Sequence, residues 1–292
     1  MYRTQFPYNQ EQKLRSYSSI FSRMSLNPIV ESDDCSVLNI KISRFDSHLI
    51  GKKFVSYLDY LKFVYAELRK NYRCEYIYKN TLLDLLIKEY ETINSLIVNE
   101  FKVGNSVADM VLFNGTSKAY EIKTELDSNK RLDGQLLDYS KIFQESYIVT
   151  HESLVKKYET VHESVGIIVL TENNGKLNLK KVRPALENEK MDVNILIRSI
   201  RTNEYKNIVQ TFYGFLPEVN SFEMFESCKA MMSQIPSKNL HKLFLSEMRK
   251  RKSNNAFLKN YQKELRHFCL NININEAKYD IFSKRLNKPI NI

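Results

Sequence analysis

Between residues 95 and 124, two turn-forming pairs, Gly104-Asn105 and Asn114-Gly115, separate three short runs rich in β-branched and aromatic residues. The runs are Ser95–Val103, Val107–Phe113 and Lys118–Thr124, and Asn-Gly between two such runs is a strong hairpin signal. A three-strand antiparallel unit is therefore predicted. Next come a helix from Arg131 to Phe143, a fourth strand at Ser146–Thr150 and a fifth at Val165–Leu170.

The flanks read differently. Upstream, helices are predicted around Gln10–Met24, ending near Asn27-Pro28 after a polar arm, from Tyr57 to Lys70, and from Leu82 to Tyr90 with Thr81 as its cap. Beyond Pro184 the character is helical, with segments at Val193–Arg201, Ser221–Ser233, Lys238–Arg251 and Phe257–Cys269. This gives an α/β fold in three parts. Residues 1–75 form an N-terminal helical segment, 76–187 a core with a mixed sheet flanked by helices, and 188–292 a mostly helical region.

Two acids interrupt this apolar pattern. Asp109 lies within Val107-Ala-Asp-Met-Val-Leu112, and Glu121 repeats the oddity on the strand joined to it by Asn114-Gly115. An acid so placed is costly to bury unless paired or metal-bound. Lys123 shares the face of Glu121, because side chains alternate along a strand, while Tyr120 and Ile122 take the other face. Asp109 is expected opposite roughly residue 120, reaching the face of Glu121 through a small offset or bulge. Two carboxylates beside an ammonium suit metal-assisted phosphodiester hydrolysis. The same spacing also fits a cross-strand salt bridge or a solvated face.

Glu100, on the preceding strand, is a candidate third acid, with Glu89 as its competitor. Arg131, Gln135 and Tyr139 follow at i, i+4 and i+8, one stripe of a helix. Glu125 and Asp127 fall in the bend after the third strand and are expected to be exposed.

Charge is unevenly distributed. Of 44 Lys and Arg and 34 Asp and Glu, 14 and 4 lie from Lys229 onward, leaving 30 of each before it. The basic excess, including Arg249-Lys-Arg-Lys252, suits a polyanion, of which nucleic acid is the commonest, or simply a solvated helical face. The cysteines (Cys35, Cys74, Cys228, Cys269) form no CxxC pair, and the five histidines show no ligand spacing, so reduced thiols and no zinc site are expected. The polar N-terminus has no apolar signal region and no apolar run is long enough to span a bilayer, so a cytoplasmic protein without membrane contact is expected.

The series Asn99-Glu-Phe-Lys-Val-Gly-Asn-Ser-Val-Ala-Asp109, Tyr120-Glu-Ile-Lys-Thr-Glu-Leu-Asp127 and Arg131-Leu-Asp-Gly-Gln135 with Tyr139 resembles the PD-(D/E)XK nuclease superfamily. More narrowly, it resembles bacterial proteins of the sce7726 family. Gln135-Leu-Leu-Asp-Tyr139 also matches the QxxxY motif of RecB-like nucleases. Ala108-Asp109 stands where the superfamily usually has Pro-Asp, and the first acid there often lies on a helix before the sheet.

The resemblance implies a restriction-endonuclease-like core and a Mg²⁺-dependent (or Mn²⁺-dependent) nuclease acting on nucleic acid, with DNA favoured over RNA, in a genome-defence, mobile-element or repair setting. Asp109, Glu121, the Ile122 carbonyl and Glu100 would hold the metal. Lys123 would orient or deprotonate the attacking water, and Gln135 and Tyr139 would hold the site or the scissile phosphate. The expected nucleic-acid contacts are Arg131, Arg249, Lys250, Arg251 and Lys252. Monomer and homodimer are both left open, and so is a catalytically silent binding module on the same fold.

Overall fold

A computed structural model describes residues 9–90, 95–128, 130–160, 163–173 and 176–292. The polar arm expected at the N-terminus falls largely on residues 1–8, outside the described residues. Helices α1 (Gln10–Ser18), α2 (Arg23–Ser32), α3 (Ser36–Phe45), α4 (Tyr57–Asn71) and α5 (Glu75–Glu89) come first. Strands β1 (Leu96–Val103), β2 (Ser106–Phe113) and β3 (Ser117–Lys123) follow, then α6 (Leu132–Tyr139), β4 (Glu145–His151), α7 (Val155–Glu159), β5 (Gly166–Asn173) and β6 (Lys176–Arg183). The chain ends in α8 (Val193–Ser199), α9 (Thr202–Tyr213), α10 (Met224–Ser233), α11 (Ser237–Arg249), α12 (Arg266–Asn271) and α13 (Glu276–Leu286).

The strands form one six-stranded mixed sheet in sequence order. β1, β2 and β3 pair antiparallel, β3–β4 and β4–β5 parallel, and β5–β6 antiparallel. Parallel neighbours need a crossover, and α6 and α7 lie in the two connections. The class expected from the residues, an α/β fold with a mixed sheet flanked by helices, is what the chain adopts.

Two compact units divide the chain, Met1–Asp84 with Phe257–Ile292, and Leu85–Ala256. These boundaries cut the sequence elsewhere than the three-part reading above. The last helices return to the first because of specific long-range bonds. Arg285 donates to the carbonyls of Ile29 (2.8 Å) and Val30 (2.6 Å), near the end of α2, where a helix has no internal donors left. Tyr76 donates to the Glu264 carbonyl (2.8 Å), and Asn80 both donates to the Lys263 carbonyl (2.7 Å) and accepts from the His267 N–H (2.9 Å). The basic tail is therefore not one domain: residues up to Ala256 stay with the sheet and the rest do not.

Several elements differ from expectation. The first helix stops at Ser18, and Ser22 caps a new one by accepting the Ser25 N–H, so Pro28 lies inside α2 instead of ending a helix. Thr81 sits within α5, its hydroxyl bonded to the Ile77 carbonyl (2.7 Å), instead of capping a later start. α6 ends four residues early because Asn188 draws the Ser140 and Phe143 carbonyls to its amide. Side chains likewise claim carbonyls in 257–269, which forms short 3₁₀ turns before α12. α3, α7, β6, α9 and α13 have no counterpart in the elements expected from the sequence. The signal for β6 was Asn174-Gly175 before the alternating Leu177 and Leu179, a second Asn-Gly hairpin pair.

In the sheet unit, one face packs on α6 and α8–α11 around Phe101, Val111, Phe113, Ala119, Ile148, Ile167 and Val169, with Leu136, Tyr139, Phe244 and Met248 against them. Gly166 is required there, since a Cβ would stand 2.3 Å from the Tyr147 ring and 2.8 Å from the Ala185 nitrogen. None of the described helices is long and apolar enough to cross a membrane.

Candidate functional site

The site begins with a defect in strand alternation. In β1 the core-facing series runs Leu96 and Val98, then Phe101 and Val103; in β2 it runs Ala108, then Val111 and Phe113. Each series shifts by one residue, and the shifts face each other. Asn99 pairs with Met110 and Phe101 with Ala108, which places Glu100 opposite Asp109. Glu100 takes φ of 56°, a left-handed conformation that costs a residue with a Cβ roughly 1–2 kcal/mol.

On its other side β2 pairs with β3 only as far as Met110–Tyr120. Beyond that point the ladder is replaced by a side chain: the Ile122 N–H donates to Asp109 Oδ2 (2.8 Å). In this register Asp109 falls opposite Glu121, one residue beyond the expected partner. Glu121, Lys123 and Ala119 share the helix-covered face, as alternation requires.

Glu121 is 2% exposed and Lys123 9%. Lys123 Nζ donates to Glu121 Oε1 (2.8 Å) and to Gln135 Oε1 (3.2 Å). The Tyr139 hydroxyl lies 2.6 Å from Glu121 Oε2, to which it donates, and 2.9 Å from the Val107 carbonyl. Burial, then the charge of Asp109, raises the proton affinity of Glu121, against the opposing effect of Lys123. Burial and the Glu121 charge raise the Tyr139 phenol, which keeps it a donor. The charge of Asp109 therefore acts on Glu121, and the Lys123 ammonium is bonded to Glu121.

Gln135 and Tyr139 arrive together because α6 is held at its far end. Asp138, buried, accepts from the Asn105 N–H (3.2 Å), the Ser106 hydroxyl (2.8 Å) and Lys141 (2.9 Å). These bonds hold α6 to the β1–β2 turn, where Gly104 has φ of 57° and a Cβ would press on the Asp138 carboxylate at 3.1 Å. Sequence reasoning missed Asp138, whose signal was an acid at i+3 from Gln135 on a helix with a buried apolar side.

The other predicted residues separate. Arg131 is exposed at the N-cap of α6. Glu125 and Asp127 are exposed, as expected, with Asp127 closing the bend by accepting the Thr124 N–H (2.8 Å). Glu89 is exposed, and its charge is one of those that, after burial, raise the Tyr120 phenol on the opposite sheet face from Glu121. Glu100 falls opposite Asp109 in the β1–β2 register and is exposed. Arg251 bonds Glu204 through both Nε and Nη2 (2.8 Å each), and Lys250 pairs with Glu247. Arg249 and Lys252 are exposed. Among the described residues no group of three or more His, Cys, Asp or Glu side chains is arranged to hold a metal ion. Asp109 and Glu121 do bring two carboxylates close enough for the charge of one to act on the other, and carboxylate oxygen is the ligand type a hard cation takes.

Residues 68–272 match the family model of bacteriophage P4 protein cII. The chain belongs to that family. Among curated relatives, protein cII of Enterobacteria phage P4 is 27% identical over 137 residues, which are 46% of this chain and 52% of cII. A putative ankyrin repeat protein, R219, of Acanthamoeba polyphaga mimivirus is 25% identical over 152 residues, 52% of this chain and 21% of that protein.

 The chain thus spans about half the length of cII and about a fifth of the mimivirus protein. Among solved structures, the SPO1766 protein of unknown function from Silicibacter pomeroyi aligns with 50% of this chain and 94% of its own, at 14% identity and a TM-score of 0.32. A score of that size carries no inference on fold.

Proposed function

We propose that this P4 cII-family chain is a metal-dependent phosphodiesterase of the PD-(D/E)XK nuclease type, acting on nucleic acid, with DNA the favoured substrate. The observation that carries the reading is the convergence of Asp109 and Glu121 from neighbouring strands onto one site with Lys123, Gln135 and Tyr139 around it. Like charges close enough to act on one another are destabilising in isolation and favourable around a cation.

Asp109, Glu121 and the Ile122 carbonyl would hold Mg²⁺ or Mn²⁺, and Glu100, opposite Asp109, is the third acid within reach by register. When bound, such an ion polarises a phosphoryl oxygen and makes a water nucleophilic near neutral pH. Lys123 uses two of its three N–H donors on Glu121 and Gln135, which leaves one for a phosphate oxygen or the attacking water. Gln135 fixes the ammonium from the helix side. Tyr139 holds Glu121 Oε2 in place and, as a persistent donor, takes no proton from it.

A second reading has its own support. Glu121 is satisfied within the protein by Lys123 and Tyr139, which also suits a silent nucleic-acid- or protein-binding module on the same fold. Cleavage assays on linear, circular and single-stranded DNA and on RNA, with Mg²⁺ or Mn²⁺ and with EDTA, test the enzyme. Metal-dependent cleavage lost in Asp109→Ala and Lys123→Ala supports it. Cleavage that survives EDTA rejects it, and the absence of any Mn²⁺ site dependent on both carboxylates favours the silent module. Cleavage of RNA alone would make it a ribonuclease.

A further inference from the structure

The basic run Arg249-Lys-Arg-Lys252 divides into residues that hold the fold and residues that face solvent. Arg251 lies 5.3 Å from the Phe101 ring centroid and bonds Glu204, whose other contact closes the start of α9 by accepting the Arg201 N–H (2.7 Å). Lys250 pairs with the buried Glu247, which also accepts from Asn207 (3.0 Å). These two cations are committed to carboxylates that join α9 to α11.

Three residues past the run, Asn255 clamps the edge of the sheet. Its Oδ1 accepts the Ile97 N–H (2.5 Å) and its Nδ2 donates to the Ile97 carbonyl (3.2 Å). The end of the run and the residues after it are therefore tied to β1 at two points, Arg251 at Phe101 and Asn255 at Ile97. Glu100, opposite Asp109, lies between those two anchors. Arg249 and Lys252, exposed, have no ion pair among the described residues. Two exposed cations on a segment tied to the strand that carries Glu100 suit a sugar-phosphate backbone better than scattered surface lysines would.

We propose that Arg249 and Lys252 grip the phosphate backbone of a nucleic acid along the outside of β1, while Lys250 and Arg251 hold that surface in place and make no contact with it. This deepens the phosphodiesterase reading and rests on it for the class of ligand. The test is equilibrium binding of a 30-base-pair (about three helical turns) duplex DNA to the full chain in EDTA across a range of salt concentrations. Each phosphate contact contributes about 0.9 to the slope of log K against log salt, so the Arg249→Gln/Lys252→Gln double variant is expected to lower the slope by roughly 2. Arg251→Gln is expected to lower Tm with the slope retained. An unchanged slope in the double variant, or no binding of duplex by the wild type, overturns the proposal. Competition by polyglutamate or by phosphatidylserine vesicles as strong as that by DNA also overturns it, in favour of an acidic protein or a membrane surface. Because binding is read without metal, DNA binding that persists in a chain that never cleaves would reject only the catalytic reading.

Discussion

Glu100 and Asp109 stand opposite one another on β1 and β2, and both strands shift their core-facing series by one residue at that pair. The defect frees Asp109 from an ordinary ladder position, so that its carboxylate, not a backbone carbonyl, receives the Ile122 N–H. The two strands thereby bring an acid to a sheet position that regular pairing would fill with backbone bonds.

If the site is catalytic, Asp109→Ala, Glu121→Gln and Lys123→Ala should each lower metal-dependent cleavage by about 10²-fold or more, the scale seen when one transition-state-stabilising group is removed. Glu121→Gln is preferred to Glu121→Ala because it leaves an acceptor for buried Lys123. Single-turnover cleavage with circular dichroism on the same samples checks both loss and folding. Full activity in Asp109→Ala would end the assignment.

Tyr139→Phe removes the donor shared by Glu121 Oε2 and the Val107 carbonyl. Leaving a buried carboxylate oxygen unsatisfied should cost about 1–3 kcal/mol, measured by urea denaturation. An unchanged midpoint would mean that water replaces the hydroxyl.

Asp138→Ala releases the β1–β2 turn from α6. A loss of about 1–3 kcal/mol is expected for its buried hydrogen bonds. Tyr139→Phe should then cost less in that background than in the wild type, because the helix no longer holds its hydroxyl on Glu121. Additive costs in a double-mutant cycle would show that Asp138 does not position the helix.

Glu204 predicts an acid-side effect. Burial opposes its charge, but the Arg251 hydrogen bond and the Arg201 N–H outweigh that and lower its pKa below the ordinary 4.5. A depressed folded-state value means stability that is full above the unfolded pKa and lost as pH falls through the folded one. Tm of the wild type should therefore drop below pH 4.5 more steeply than that of Glu204→Gln. Parallel curves would remove Glu204 from the acid response.

Gly166→Ala should destabilise by about 1–3 kcal/mol or prevent folding, because the Cβ meets both a ring and a backbone nitrogen that cannot turn aside. Thermal melting reads the result, and a neutral outcome would mean that β5 shifts away from Tyr147.

Much of this protein follows from local pattern. Alternation and the turn pairs Gly104-Asn105 and Asn114-Gly115 specify β1, β2 and β3 and place Glu121 and Lys123 on one face, because a strand's side-chain period is two whatever surrounds it. The i, i+4 spacing likewise brings Gln135 and Tyr139 to one side of α6, where both reach the site. Other features depend on partners far away in sequence. The position of Asp109 rests on a paired defect in two strands, and α6 is held by a turn some thirty residues earlier. The basic run is divided by Glu204 and Glu247 into anchors and exposed charges, and α13 returns to α2 through Arg285. Periodicity reports which face of an element is apolar, but only the folded chain decides which acid, amide or carbonyl that face meets.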